Sequence, residues 1–104
     1  MKIKQLNWRI VDQKYINKFY NEIDFFIYEK SYKIGDIVAD GIYGAVYHIE
    51  KNNHEYKLYW VFARSNDDYF WVIDLLNTDT DINNLYKIAQ NHFESAVKEY
   101  LEEY

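Results

Sequence analysis

Tyr56-Lys57-Leu58-Tyr59-Trp60-Val61-Phe62-Ala63 is followed by the polar cluster Ser65-Asn66-Asp67-Asp68 and then by Tyr69-Phe70-Trp71-Val72-Ile73-Asp74-Leu75-Leu76. Aromatic and β-branched side chains fit a pleated, half-buried surface, and runs of this length between turn residues read as strands. Short polar side chains bond their own backbone and reverse the chain. The stretch therefore predicts an antiparallel hairpin. Both runs are apolar on both alternations: Leu58, Trp60 and Phe62 oppose Tyr59 and Val61, and Trp71, Ile73 and Leu75 oppose Phe70 and Val72. One helix covers one face of such a sheet, so the second face needs another cover or stays open to a partner or a second copy. Cover by a helix of the same chain is expected.

Toward the N-terminus, Asn52-Asn53-His54 marks a turn and Tyr43 to Glu50 reads as a strand. Asp40-Gly41 predicts a tight turn in which Gly takes positive φ, joining that strand to Ile37 to Ala39. Before these, Ile16, Phe19, Tyr20, Ile23, Phe26 and Ile27 recur at helical steps, with Asp12 as cap and Gly35 beyond the end. Leu6, Trp8 and Ile10 alternate with polar residues as a first strand. Toward the C-terminus, Asn77 to Asp81 leads into a stripe of Ile82, Leu85, Ala89, Phe93, Ala96, Tyr100 and Leu101, an amphipathic helix.

The order is β-α-β-β-β-β-α. It predicts an α+β fold: an antiparallel sheet of four to five strands, a C-terminal helix packed on it and an additional N-terminal helix. The 104 residues are read as one domain, 1–104.

Composition narrows the chemistry. The chain has no cysteine and no proline, so thiolate nucleophiles, disulfide frameworks, zinc ribbons and iron–sulfur ligation are excluded. No apolar run reads as a signal peptide or a membrane span, and a cytoplasmic location in a host cell, without membrane partners, is expected. Twelve Tyr, six Phe and three Trp make up a fifth of the chain; a Lys/Asn/Ile/Tyr coding bias accounts for much of the tyrosine, while a surplus beyond core needs is what a protein-binding face would show. Residues 1–33 carry seven Lys or Arg against four Asp or Glu, whereas residues 34–104 carry five against thirteen. The acidic segment repels phosphates, which disfavours nucleic acid as partner and favours a basic protein.

Several constellations place chemistry-bearing side chains together. Asp79-Thr80-Asp81-Ile82-Asn83 begins like a calcium loop, but Asn84 stands at its glycine position and Gln90 at its bidentate position, so helix capping is the reading. His48 and Glu50 share one strand face, and Asp36 or Asp40 can approach them; this is the one place for a metal-dependent hydrolase, against a solvated strand end. His92, Ser95 and Glu99 share one helix side without an oxyanion hole or an orienting carboxylate signalled nearby. No cofactor or metal is assigned. Glu94, Glu99, Glu102 and Glu103 on the last helix can imitate a row of phosphates and occupy a basic channel on a target. With Tyr59 and Tyr69 from the sheet they are the expected partner-binding residues.

Leu6-Asn7-Trp8, Gly44 with Tyr47-His48-Ile49, Tyr56-Lys57-Leu58 and the closing Ile88-Ala89-Gln90-Asn91-His92-Phe93-Glu94 resemble the pattern of a group of small phage and mobile-element proteins. Their last helix reads A-x-x-A-Q-x-H-F-E; here Tyr86 replaces the first small residue, and residues 12–30 are an insertion. The resemblance implies a sheet with a packed C-terminal helix and an accessory role. It assigns no catalytic residues and leaves Gln90 and His92 to hydrogen bonds between helix and sheet. The function expected is a non-enzymatic accessory protein that binds and inhibits or modulates a host or defence-system protein, in its sharpest form an anti-CRISPR-type inhibitor. A structural or regulatory homodimer and a nucleic-acid-binding module are the alternatives.

Overall fold

A computed structural model describes residues 3–14, 33–42, 44–65 and 69–102; at 63–65, 69–71 and 100–102 the description is of the backbone alone. Five strands, β1 (Arg9–Ile10), β2 (Ile37–Asp40), β3 (Val46–Asn52), β4 (Glu55–Ser65) and β5 (Tyr69–Asp79), precede one helix, α1 (Ile82–Glu102). The strands pair antiparallel with their sequence neighbours in the order β1-β2-β3-β4-β5. The α+β class and the C-terminal helix are as the periodicity predicts. The N-terminal helix, expected between Asp12 and Lys30, lies outside the described residues beyond Lys14.

Three local details depart from the sequence reading. The sequence predicts positive φ at Gly41, but in this turn it falls on Gly44, at 78°. Gly41 is required for closeness instead: a Cβ there would stand 3.2 Å from the Tyr47 ring and 3.3 Å from the Ala45 carbonyl. Strand β3 accordingly starts at Val46, after the Gly41 N–H donates to the Ala45 carbonyl oxygen at 2.8 Å. Strand β5 runs on to Asp79, because Asn77, Thr78 and Asp79 pair with Leu58, Lys57 and Tyr56 across a bulge that leaves Leu76 extra. The first strand is only Arg9–Ile10 long, and Leu6 and Trp8 pack on the helix-side core instead.

The sheet divides two cores. On one face α1 lays Leu85, Ala89 and Phe93 over Ala39, Tyr47, Ile49 and Leu58, with Leu6 at the margin. On the other face Val11, Val38 and Val61 are fully buried, with Val46, Tyr59 and Ile73 packed around them. The centre of this second face is thus buried within the single chain. Leu75, farther out on β5, stays 54% exposed.

Candidate functional site

Register determines which side chains meet between α1 and the sheet. Tyr47 of β3 lies opposite Trp60 of β4, and Trp60 lies opposite Asp74 of β5, so the three share the face that α1 covers. His92 comes down on this row from the helix. Tyr47 Oη and His92 Nδ1 share a hydrogen bond of 2.7 Å. The Trp60 ring stands edge-on to the imidazole with centroids 4.7 Å apart, and Phe62 lies against Trp60 at 4.4 Å.

Electrostatics follow from the packing. Burial pushes the Tyr47 phenol well above its ordinary value, so it remains an O–H at any physiological pH. Burial lowers His92 below its ordinary value of 6.5, and the Asp74 carboxylate partly opposes this. The imidazole is neutral at neutral pH, beside an exposed carboxylate.

Gln90, two residues before His92 on α1, clasps the N-terminal segment. Its Oε1 accepts from the Leu6 N–H at 2.8 Å and its Nε2 donates to the Lys4 carbonyl at 3.1 Å. Trp8 adds a ring contact to Tyr86 at 4.9 Å. Gln90 and His92 are thus the helix's polar attachments, one to the N-terminal segment and one to β3.

The second imidazole lies on the opposite face. His48 is fully buried, and its Nε2 stands 2.8 Å from Asp36 Oδ2, itself buried in the turn before β2. The other oxygen-bound contact of Asp36 is local: Oδ2 also accepts from the Lys33 N–H at 3.0 Å. Of the two carboxylates expected near His48, Asp36 reaches it, whereas Asp40 pairs with Arg9 at 3.1 Å on the exposed edge. A hydrolytic site needs an imidazole open to substrate, and this one is enclosed. No group of three or more His, Asp or Glu suited to a metal ion occurs among the described residues.

The Asp79-Thr80-Asp81 segment is a cap. Asp81 Oδ1 accepts from the Asn83 N–H at 3.0 Å, while Asp79 accepts from the Asp81 N–H and from Asn84 Nδ2. These bonds hold the Asp79 carboxyl below its usual range.

The expected partner-binding residues are placed as follows. Glu94 is half-buried and Glu99 exposed on α1; Glu102 is the last residue of the helix, and Glu103 lies outside the described residues. Lys87 and Lys98 are exposed on the same helix, so its described part alternates sign. Tyr59 is half-buried on the second face, with its ring 6.3 Å from that of His48. It therefore faces away from the α1 glutamates, and one flat interface does not hold both. Tyr69 opens β5.

No protein-family model, curated protein or solved structure matches the chain. No helix among the described residues is long and apolar enough to cross a membrane.

Sequence reading did not join Trp60 and Asp74 to His92. They are remote along the chain, and only the register of β4 and β5 and the packing of α1 bring them together. The available signal was weak: an acidic residue inside an apolar strand, opposite a strand with Trp at its centre.

Proposed function

We propose that this chain is a non-enzymatic binding protein, an accessory protein of a phage or mobile element that attaches to a host or defence-system protein and inhibits or modulates it, with an anti-CRISPR-type inhibitor as its sharpest form. The observation that supports binding over turnover is the use made of two of the three imidazoles. His48 and His92 each engage a buried internal partner, Asp36 and Tyr47; the first contact ties β3 to the turn before β2 and the second ties α1 to β3. The outer surface keeps exposed carboxylates at Asp74 and Glu99 beside half-buried aromatic rings, a combination suited to a basic protein surface.

Expression of the tagged chain in host cells, followed by light scattering of what co-purifies, tests this. A complex with one other protein in fixed ratio is expected. A chain that elutes alone, or only with itself, at high concentration would count against it, and the second of these outcomes would favour the homodimer.

A further inference from the structure

We infer that the Trp60, Phe62 and Asp74 side chains, beside His92, form a seat for one arginine side chain of a protein partner. Trp60 and Asp74 are direct cross-strand partners, so the carboxylate and the indole project side by side from one face. The Trp60 and Phe62 rings pack at 4.4 Å with planes 32° apart, and both stay half-buried. A planar guanidinium stacks on such rings, and tryptophan attracts cations most strongly among the aromatic residues. Asp74 is exposed and supplies the oxygen atoms that a guanidinium bonds with charge assistance.

Two further features set the sign of the ligand. His92, closing one side of the seat at 4.7 Å from Trp60, is disfavoured as a cation by its burial, so its ring does not compete with the incoming charge. Glu99 follows His92 on the same side of α1 after about two turns, roughly 10 Å along the helix, and adds an exposed negative charge on that side. A phosphate or carboxylate ligand would be repelled by both carboxylates. A metal ion would want three or more converging donors, and no such group is found among the described residues. The chemistry that remains is a flat organic cation.

This seat deepens the binding function proposed above and rests on it, and the probe separates the two. The full chain is titrated with a blocked Gly-Arg-Gly peptide, and with the citrulline peptide of the same shape but no charge, while the Trp60 indole and His92 ring signals are followed by NMR. Saturable shifts of both signals with arginine and not with citrulline are expected, and Asp74→Asn, a change at an exposed position, weakens the binding roughly tenfold. No saturable shift, the same response to citrulline, or an unchanged Asp74→Asn titration overturns the seat. A partner captured equally by wild-type and Asp74→Asn chains overturns it too while leaving the binding function standing; a saturable arginine response with no partner captured supports the seat and removes the function.

Discussion

Tyr47 Oη and His92 Nδ1 stand 2.7 Å apart, and this hydrogen bond ties the middle strand of the sheet to the helix that covers it. Tyr47 is 1% exposed, and its ring packs edge-on against both His92 and Phe93. Tyr47→Phe keeps the packing and removes the oxygen, leaving a ring nitrogen of His92 without its partner. Urea unfolding is expected to show a loss of about 1–2 kcal/mol, and the loss should shrink when Tyr47→Phe is made in a His92→Leu background, where that nitrogen is absent.

Acidity acts on the same contact. His92 titrates below its ordinary value of 6.5 in the folded chain because burial opposes the charged ring. Between the two values the unfolded chain binds more protons, so stability rises with pH. This contribution is fully present above 6.5 and is lost as pH falls through the folded value. NMR titration of the His92 ring checks the direction. Asp74→Asn, which removes the opposing carboxylate, is expected to lower the His92 midpoint further, and a midpoint that rises would contradict the assigned cause.

The clasp by Gln90 makes a separate prediction. Gln90→Ala breaks the bonds to the Leu6 N–H and the Lys4 carbonyl. The Leu6 amide should then exchange with solvent faster while the β3 and β4 amides keep their protection, and stability should fall by about 1 kcal/mol. Unchanged Leu6 exchange would show that packing of Leu6 and Trp8 holds the segment without Gln90.

At the start of α1, Asp81→Ala removes the acceptor for the Asn83 N–H. Loss of an N-cap costs about 0.5–2 kcal/mol. Asp81→Asn keeps the acceptor and is expected to recover most of it in the same thermal or urea unfolding measurement.

Much of the fold was legible because hydrophobic period and turn chemistry agree along the chain. The stripe from Ile82 through Phe93 to Ala96 marks a helix by spacing alone, and Ser65 to Asp68 separates two strands by composition alone. What periodicity does not carry is register. The register that starts at Ser65 and Tyr69 sets Asp74 opposite Trp60, and the bulge between Leu58 and Tyr59 then shifts the rest of β5 by one residue. The extension of β5 to Asp79 has the same origin, since Asn77, Thr78 and Asp79 look like loop residues until strand β4 pairs with them. His48 shows the complementary case: the pairing with Asp36 was among the approaches the topology allows, but its burial depends on the cover of the second face. The positive φ at Gly44 rather than Gly41 was hidden because two glycines three residues apart offer the same freedom, and only the close approach of Tyr47 to Gly41 distinguishes them.

Recovery of a partner by the wild-type chain and by an Asp74→Lys, Glu99→Lys double variant, side by side at about 0.1 M and about 1 M salt, tests most directly whether this molecule works by covering a basic protein. One protein retained in stoichiometric amount by the wild type at low salt, and lost both at high salt and from the variant, is the predicted result. Equal retention by the two chains, or nothing retained above background by the wild type, would contradict it.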